Sequence, residues 1–555
     1  MIDVVNHGLL GVLASAPLLD RLELAALSGR PRNTVFRRVA KLEQAGLLQS
    51  LVHSAELIPP TRRYCLTSHG VRRLAQSDDC CLDELLRREP VSEQWRRLLL
   101  ERLDAAASLY RLAAATAECV DRLRFRWLRA SPLDAALLLP EERRVALVRL
   151  GGTAERTAFA KRIRRLRETP GLGAILLLAP DEVRLRQARR LVAGAPAITF
   201  LALEREAVVS GAEARIWRGP SGSARLSLRD ALTYVVPHRG WTAERPLVRL
   251  TPPRDLNRQS QFEAWLLPAR LTAAEKRVLD AIGDWPWIRS AHLEQLLGVG
   301  ARRLEQLQQR TAELGLVTGL MRDGRRRLSL TDAGLAMIAR RDRTAVGAAR
   351  QRWSPTLRTP VLLDAEDADW SSAEPVWRNV SGLRSRQLLR NLAHTESVHW
   401  WNGRLAQQAR AESLSLVQLD PPHRASRYFR HRERMRSIHP DAFGLLHVGG
   451  EDWPFFLEWE RRAVRPATMR DRLAPYLRYY DTRRPLDDHG AHPTVLVVFE
   501  DELTADHFLR VAGEALAEAQ VSVPLLVSDR TSLERSGPLG SAWRSVERRT
   551  PAPPF

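Results

Sequence analysis

The sequence has little cysteine and no long apolar run. Its four cysteines form neither a CxxC pair nor a cluster with histidine, so we expect no structural zinc site and no disulfide framework, and a reducing compartment fits. The longest apolar runs have the length of a strand and cannot cross a bilayer. The first 20 residues lack the basic start of a signal peptide. We therefore expect a soluble, cytoplasmic protein.

Lysine is also scarce, although the chain is strongly basic. The 555 residues include 86 Lys and Arg against 65 Asp and Glu, which gives a formal net charge of +21 and a pI near 11.0. Lysine occurs only at Lys41, Lys161 and Lys276, and every other basic residue is arginine. A GC-rich genome would explain the preference for arginine but not the net charge. That charge favours a polyanionic partner, nucleic acid ahead of a membrane surface.

The chain contains an internal repeat. Residues 9–48 align with residues 278–317 without a gap, at an offset of 269. Residues 64–75 align with residues 328–339 at an offset of 264, so the first copy has five extra residues between its two blocks. A gap-free match of this length is improbable by coincidence, and it indicates a duplicated helical module.

The segments downstream of these blocks are also alike. Residues 131–168 and 439–477 each predict a strand that begins at an aspartate, a turn, an apolar strand and a long basic helix. The fold class expected is therefore α+β or α/β and multidomain, with two winged helix–turn–helix modules alternating with two nuclease-like α/β modules. The expected domains are 1–78, 93–249, 270–341 and 383–547.

The first helical module has the pattern of a DNA-binding helix. Pro31 suits the first turn of a helix, on which Val35, Val39 and Leu42 form a buried stripe, and Gly46 is expected to end that helix. The residues left facing outward are Arg32, Asn33, Thr34, Arg37, Arg38 and Lys41. With the two strands that follow, this pattern resembles the winged helix–turn–helix of MarR-like regulators. The resemblance implies a recognition helix that enters the major groove and contacts bases and phosphates.

The second helical module keeps the pattern with fewer positive charges. Its corresponding helix carries Arg302 and Arg303 near the start, followed by glutamates. The segment MRDGRRRLSL predicts a hairpin with an Asp-Gly turn, whose arginines are expected to clamp phosphates: Arg325, Arg326 and Arg327. Winged helices also serve as dimerisation or protein-docking modules, and this alternative stays open.

The second α/β module carries a candidate metal site. Asp441 opens one strand, while Glu458 and Glu460 lie two residues apart on the next and therefore on one face. Carboxylates on adjacent strands can hold Mg²⁺ beside a scissile phosphate. This pattern resembles the PD-(D/E)XK nuclease fold. The order of winged helix, His-Thr at residues 394–395, PDA, LExE and a helix ending in tyrosine is similar to the replication-relaxation family associated with plasmids and mobile elements.

The family resemblance covers about residues 270–545. It implies a metal pair at Asp441 and Glu458, with Glu396 on the preceding helix as a third candidate. One departure from the standard nuclease motif is that Glu460 stands where that motif has lysine. Because some restriction endonucleases of this superfamily have glutamate there, the departure does not by itself exclude activity.

Two interpretations of these acidic residues stay open. In one, the protein is a Mg²⁺-dependent endodeoxyribonuclease with Asp441, Glu458 and Glu460 as catalytic residues. In the other, which we favour, the module is catalytically silent and its carboxylates pair with nearby arginines such as Arg461 or Arg470.

The first α/β module has lost most of the acidic residues. Asp134 aligns with the first aspartate of the second copy, but the positions of the three glutamates hold apolar residues, Val148, Leu150 and Ala107. One carboxylate on an apolar strand cannot bind the metal. This copy is expected to be structural or to cradle DNA.

The leading hypothesis is a double-stranded DNA-binding protein of the replication-relaxation type. It would act in plasmid or mobile-element maintenance or in transcriptional control, in a prokaryotic cytoplasm with the nucleoid or a plasmid. A metal-dependent endonuclease and a protein-docking scaffold are the alternatives. We expect no membrane and no small-molecule cofactor, Mg²⁺ only if the second module is active, and other replication or mobilisation proteins as further candidate partners.

Overall fold

The chain folds into two compact units. The computed structural model describes residues 3–129, 132–153, 156–169, 171–222, 224–237, 249–256, 263–357, 376–461 and 465–555. Unit 1 comprises Met1–Lys276 and Met337–Ala345, and unit 2 comprises Arg277–Ala336 and Val346–Phe555. Each unit mixes helices with a small and a larger β-sheet. Over these ranges no helix combines the length and the apolar character needed to cross a membrane.

The first half of the chain contains twelve labelled helices and ten labelled strands within the described ranges. The helices are α1 Val4–Ser15, α2 Arg21–Ser28, α3 Arg32–Gln44, α4 Ser68–Ser77, α5 Leu82–Arg88, α6 Glu93–Glu101, α7 Leu103–Ala117, α8 Arg156–Glu168, α9 Glu182–Val192, α10 Glu204–Val209, α11 Leu228–Thr233 and α12 Leu267–Arg270. The strands are β1 Leu19–Asp20, β2 Leu48–Ala55, β3 Ile58–Leu66, β4 Arg124–Trp127, β5 Ala135–Leu138, β6 Arg144–Arg149, β7 Ala174–Ala179, β8 Ile198–Leu203, β9 Trp217–Arg218 and β10 Arg225–Leu226.

The second half repeats this plan. Its helices are α13 Ala273–Asp284, α14 Ser290–Leu297, α15 Ala301–Glu313, α16 Asp332–Arg341, α17 Val346–Trp353, α18 Leu383–Arg390, α19 Leu392–Ala411, α20 Pro422–Ala425, α21 Pro466–Tyr480, α22 Arg484–His489, α23 Glu502–Ala519 and α24 Arg530–Ser536, with a 3₁₀ helix Val376–Asn379. Its strands are β11 Ile288–Arg289, β12 Val317–Arg322, β13 Arg325–Leu330, β14 Ser415–Asp420, β15 Arg427–His431, β16 Arg434–Ile438, β17 Ala442–Val448, β18 Glu451–Glu460, β19 Thr494–Phe499 and β20 Leu525–Asp529.

A small three-stranded module opens each repeat. In the first, the order along the chain is α1, β1, α2, α3, β2, β3 and α4, and the antiparallel sheet has the order β1-β3-β2. In the second, α13 to α16 and β11 to β13 follow the same order, with the sheet β11-β13-β12. The predicted stripe of Val35, Val39 and Leu42 on α3 is buried. Burial of this stripe turns the opposite side of α3 outward.

Corresponding backbone features recur in the two three-stranded modules. Leu18 has a left-handed φ of 72°, and its N–H donates to the carbonyl of Tyr64 on β3. Trp287, which lies 269 residues later, has a φ of 68° and donates to the carbonyl of Leu328 on β13. A non-glycine residue rarely adopts this conformation, so its recurrence at the matching position supports the duplication.

A larger sheet completes each unit, and five strands of the two sheets correspond. In unit 1 the order is β10-β9-β8-β7-β6-β5-β4, with β6, β7 and β8 parallel and β4 and β5 antiparallel. In unit 2 the order is β14-β17-β18-β19-β20, with β18, β19 and β20 parallel and the first two strands antiparallel. Helices α8 and α9, or α21 and α23, make the crossovers that parallel strands require.

Each larger sheet is preceded by a long helix that packs against the three-stranded module of its own unit. Helix α7 packs on α2 in unit 1, and α19 packs on α14 in unit 2. The core of unit 1 is accordingly continuous from the small module into the larger sheet. Helix α19 also packs on β18, which brings its side chains to the acidic strand.

We predict that a methyl group at Gly70 in α4 destabilises unit 1. A Cβ atom there would lie 2.1 Å from the carbonyl oxygen of Leu47, whereas one at Gly11 in α1 would meet nothing within 4 Å. Gly70→Ala should lower the free energy of unfolding by about 1–3 kcal/mol, as overpacking does. Gly11→Ala should raise it by about 0.5–1 kcal/mol, because glycine weakens a helix interior. Urea denaturation measures both, and a neutral Gly70→Ala would contradict the packing described.

Candidate functional site

Helix α3 presents a basic face to solvent. Arg32, Asn33, Arg37 and Lys41 are exposed, while Thr34 is half-buried. Arg37 and Lys41 therefore lie on the side of the helix away from its buried stripe, and Arg32 adds a third exposed positive charge at the start of the helix. This is the arrangement that the amphipathic pattern predicts, and it leaves these side chains accessible to a polyanion.

Arg38 is less available than its neighbours on α3. Its guanidinium Nη1 lies 2.6 Å from a carboxylate oxygen of Asp3, and the side chain is only about a quarter exposed. Asp3 also caps α1, where its carboxylate accepts the backbone N–H of Asn6. Arg38 thus ties α3 to the start of α1 and contributes less free positive charge than the sequence suggested.

The second three-stranded module exposes arginines on both its helix and its wing. Arg302 and Arg303 are exposed at the start of α15, and Arg325 and Arg326 are exposed at the start of β13. The turn before β13 is the predicted Asp-Gly hairpin, with a left-handed φ at both positions. The exposed cations of this module are therefore divided between helix and hairpin.

The predicted roles of Arg327 in this module and of Glu396 in the second α/β module are both wrong. Arg327 is 1% exposed and cannot clamp phosphates, because β13 is flanked there by β11 as well as β12, whereas Arg325 lies beyond the end of β11. The guanidinium of Arg327 lies 2.7 Å from the carboxylate of Glu396, which also pairs with Arg289 at 2.8 Å. Glu396 is therefore neutralised by two arginines and does not fit the role of a metal ligand.

Asp441 lies at the start of β17 and holds neighbouring elements in place. Its Oδ2 accepts the backbone N–H of Trp459 on β18 at 2.8 Å, and its Oδ1 lies 2.9 Å from Nε2 of His394 on α19. Burial favours the neutral imidazole, but the hydrogen bond and the charge of Asp441 outweigh burial and raise the pKa of His394. Asp441 and His394 therefore form an ion pair as the pH falls.

Glu458 on β18 forms a close pair with Tyr476 on α21. The hydroxyl of Tyr476 donates to Oε1 of Glu458 at 2.5 Å. Burial, together with repulsion from the charge of Asp441, raises the pKa of Glu458 well above its usual range. Burial and the neighbouring Glu458 likewise raise the pKa of Tyr476. Both groups therefore favour their neutral forms, so the pair contributes hydrogen bonding but little charge.

Glu460 has an arginine partner, but not one that the sequence pointed to. Nε of Arg472 on α21 lies 3.2 Å from its carboxylate, whereas Arg461 and Arg470 pair with other glutamates. Burial raises the pKa of Glu460, and the charge of Arg472 partly opposes that shift. The expectation that these carboxylates pair with arginine thus holds for Glu460 with a different partner.

A cavity of about 260 Å³ opens beside this strand. Glu458, Glu460 and Tyr476 all line it, so the two glutamates do share one face, as their spacing predicts. Asp441 is not among the lining residues. The rest of the wall is mainly apolar and includes Met469, Leu473, Val495, Val497, Phe499 and Phe508. The site therefore combines three carboxyl groups, those of Glu458, Glu460 and Asp471, with a largely apolar pocket.

The equivalent position in unit 1 keeps the backbone geometry but neutralises the aspartate. Asp134 accepts the N–H of Arg149 on β6 at 2.7 Å, as Asp441 does on β18. Its carboxylate also lies 2.6 Å from Arg162 and 2.5 Å from Arg343. Although burial opposes ionisation, these guanidiniums hold the pKa of Asp134 at about 2. This carboxylate is a structural ion pair.

The Glu458–Tyr476 pair is replaced by two apolar residues in unit 1. At an offset of 310 residues, Val148 on β6 and Leu166 on α8 take the two positions, and both are fully buried in one apolar cluster. The fold is therefore compatible with an apolar pair at this point. The polar pair of unit 2 is a property of that copy and not a requirement of the architecture.

The side chains of unit 2 do not fit a Mg²⁺ ion as they stand. The ligands of such an ion are ionised carboxylates, but Glu458 favours its neutral form and both oxygens of Asp441 are hydrogen-bonded. Across the described ranges no group of three or more His, Cys, Asp and Glu residues is arranged to hold a metal ion. The side chains of this site therefore do not support a reaction that depends on a bound metal ion.

Sequence reasoning did not assign a role to the hydroxyl of Tyr476 or to the imidazole of His394. His394 belongs to the His-Thr pair that the family resemblance used, yet nothing in the spacing showed that it meets Asp441. For Tyr476, the sequence did hold a signal. Tyr476 aligns with Leu166 of the first copy, and Glu458 aligns with Val148, so both positions are polar in one copy and apolar in the other. A paired change from apolar to polar in two copies of one fold indicates contact.

Comparison of the chain with protein-family models, with curated proteins and with solved structures found no match. The resemblance to the replication-relaxation family, which depends on short motifs, therefore stays a prediction.

We predict that Glu458 makes unit 2 less stable as the pH rises. The pKa of Glu458 is raised above the ordinary value of 4.5. The contribution of its neutral form to the stability of unit 2 is therefore fully present below pH 4.5 and is lost as the pH rises through the raised pKa. Glutamine mimics the neutral acid at every pH. The Tm of Glu458→Gln minus that of the wild type should therefore increase from about pH 4.5 upward. The exposed Glu412→Gln is the matched control, and a parallel pH dependence for both variants would refute the prediction.

We also predict energetic coupling between Glu458 and Tyr476. Glu458→Val and Tyr476→Leu, the residues of unit 1, should each destabilise the protein because each leaves a polar partner unsatisfied or a void. The double variant restores an apolar pair and should recover about 0.5–3 kcal/mol relative to the sum of the two losses. Chemical denaturation of the four proteins measures this coupling. Additive losses would mean that the 2.5 Å contact is energetically unimportant.

Proposed function

We propose that the protein binds double-stranded DNA through its two three-stranded modules, which act as winged helices. The observation that carries this proposal is the exposed positive charge of α3, with Arg37 and Lys41 on the side away from a buried apolar stripe and Arg32 exposed in the first turn. In this proposal α3 enters the major groove, where Asn33 reads a base edge and the cations contact phosphates. The net charge of +21 supports a polyanionic partner.

The second module contributes mainly through its hairpin. Arg325 and Arg326 extend beyond the short strand β11 and are free of the ion pair that holds Arg327. They are suited to phosphate contacts, while Arg302 and Arg303 on α15 provide a weaker helical contact. Because one chain carries both modules, a single chain offers two DNA contacts where a dimer would otherwise be needed.

The biological role that we propose is of the replication-relaxation type, in plasmid or mobile-element maintenance or in transcriptional control. This role is supported by the order of short motifs in residues 270–545, which include the His-Thr pair and Asp441. DNA binding does not depend on this assignment, since its support is the charge and exposure of the modules.

A metal-dependent endonuclease is the less favoured alternative. In its favour, Glu458 and Glu460 line one cavity and Asp441 lies close enough to Glu458 to raise its pKa. Against it, the raised pKa of Glu458 favours its neutral form, both oxygens of Asp441 are hydrogen-bonded, and Glu460 pairs with Arg472. A DNA-binding module whose nuclease-like site is silent accounts for both observations, and a protein-docking scaffold is the third possibility.

The variant Arg37→Ala/Lys41→Ala should bind duplex DNA more weakly and with less dependence on salt. Each lost phosphate contact should reduce the slope of log K against log salt by about 0.9. The measurement is fluorescence anisotropy of a mixed-sequence duplex between about 50 and 200 mM salt. The control is Arg510→Ala/Arg535→Ala, in which two exposed arginines of α23 and α24 are removed. Equal affinities and slopes for all three proteins would contradict the proposed role of α3.

Incubation of the wild type and of Asp441→Ala with supercoiled plasmid separates the DNA-binding protein, the endonuclease and the docking scaffold. We expect a retarded but uncut band that is equal in EDTA and in Mg²⁺. Metal-dependent nicking that is lost in Asp441→Ala would instead establish the endonuclease. No retardation even at low salt would leave the docking scaffold.

A further inference from the structure

Unit 2 contains a β-hairpin, β15–β16, that has no counterpart among the described residues of unit 1. Strands β15 and β16 pair antiparallel as a separate two-stranded sheet within residues 421–441, which connect β14 to β17. In unit 1 the corresponding strands β4 and β5 are connected by residues 128–134 alone. The hairpin is therefore an addition to the duplicated fold, placed directly before Asp441.

The hairpin is strongly basic. Arg430, Arg432, Arg434 and Arg436 are all exposed, and Glu433 is its only acidic residue. Across the described part of the chain, Arg432, Arg434 and Arg436 make no ion pair with a carboxylate. Four guanidiniums on a two-stranded ribbon create a local positive potential that attracts a polyanion. Guanidinium also binds phosphate oxygens in a bidentate manner, which lysine cannot do.

One face of the ribbon combines Arg430 with apolar and aromatic contact area, whereas Arg434 and Arg436 lie on the other face, opposite His431 and Phe429. Arg430 lies opposite Met435 in the strand register, and Tyr428 shares their face. Met435 is 62% exposed and Tyr428 is 38% exposed. The ring of Tyr428 packs edge-on against His439 at 5.6 Å. Such a mixture of cations with flat and flexible side chains suits the base edges and sugars of a groove.

Two side chains of the first strand, Arg427 and Phe429, anchor the hairpin to the unit. Arg427 is buried, donates to the carbonyl of Ala425 at 2.7 Å and lies over the ring of Phe443 at 4.7 Å. Phe429 is buried against Tyr479, with ring centroids 5.1 Å apart. These contacts fix the orientation of the ribbon, so its exposed arginines project from a defined position.

The two charged residues at the tip of the hairpin adopt an unfavourable left-handed backbone conformation. Arg432 and Glu433 form a two-residue turn with left-handed φ values of 44° and 62°, a conformation for which Asn-Gly or Gly-Gly is preferred. The β17–β18 hairpin in the same unit does use Gly449 and Gly450 at such a turn. Each non-glycine residue in this region costs about 1 kcal/mol or more. Strain of this kind is typical of functional sites.

The base of the hairpin forms part of the wall of the cavity in unit 2. Ser437, Ile438 and His439 line the cavity together with Glu458 and Glu460. A polyanion held by the ribbon would therefore pass close to the mouth of this cavity.

We propose that this hairpin is a DNA-binding ribbon that enters the major groove of the duplex bound by the protein. The major groove admits a two-stranded ribbon, and β-ribbons read DNA in that way. The inference rests on the proposed function, to which it adds a third DNA contact within unit 2. A duplex is favoured over an acidic protein because the arginines lie on both strands and at the tip, where a groove with a phosphate backbone on each side reaches all of them.

The test compares two triple variants of the full chain. Arg432→Ala/Arg434→Ala/Arg436→Ala removes the free arginines of the ribbon. A matched control removes three exposed arginines elsewhere in the same unit, Arg510→Ala/Arg535→Ala/Arg549→Ala. Both lower the net charge equally. We expect the ribbon variant to bind a mixed-sequence duplex at least tenfold more weakly near 100 mM salt, with the salt slope reduced by about 2–3, and the control to change little.

A second variant separates loss of charge from loss of the hairpin. Arg432→Asn/Glu433→Gly leaves the net charge unchanged and installs the preferred turn, so it should raise Tm and retain most of the affinity. If this variant binds as weakly as the triple ribbon variant, the arginines of the strands are not the contact and the proposal fails.

The remaining outcomes distinguish this inference from the proposed function. If the ribbon variant binds DNA like the wild type while Arg37→Ala/Lys41→Ala binds weakly, the ribbon proposal is overturned and the DNA-binding function stands. If the wild type binds no duplex even at low salt, both are overturned. If the ribbon variant keeps its DNA affinity but loses binding to poly-glutamate, the hairpin is a docking surface for an acidic protein, which also overturns the proposal.

Discussion

The contact between one aspartate and the backbone of the neighbouring strand underlies the architecture of both larger sheets. Asp441 accepts the N–H of Trp459 and donates its own N–H to Leu457, so that the start of β17 is held against β18 by two hydrogen bonds. Asp134 makes the same exchange with β6 in unit 1. At the start of the strand, the aspartate carboxylate accepts a backbone N–H that would otherwise lack a partner in the sheet. This structural role explains why the first copy keeps the aspartate although it has apolar residues in place of the other acidic ones.

The two copies share this backbone contact but differ in the side chains that surround the aspartate. In unit 1, arginines neutralise Asp134 and an apolar pair fills the space between strand and helix. In unit 2, His394 takes one oxygen of Asp441, and the Glu458–Tyr476 pair occupies the equivalent space beside a cavity. Burying that polar pair is more costly than burying its apolar counterpart, because it requires a precise hydrogen bond. The buried polar pair occurs in unit 2, the unit that also contains the basic hairpin.

Local patterns in the sequence predicted the elements well. The stripe of Val35, Val39 and Leu42 is buried, the Asp-Gly turn before β13 is formed, and Glu458 and Glu460 share one face. Each of these follows from the period of a helix or strand, or from the backbone preference of a turn residue. The gap-free repeat also corresponds to two modules with the same order of helices and strands.

What the sequence determined by itself is therefore the repeated order of elements and the face on which each residue lies, because those depend on neighbours a few positions apart. Only the tertiary structure decided which charged residues remain available. Arg327 is buried because β11 flanks it and Glu396 reaches it from α19, 69 residues away in sequence. The Glu458–Tyr476 contact and the projection of the basic hairpin likewise depend on how distant segments pack. Charge and burial are set by those long-range contacts, and local periodicity carries no information about them.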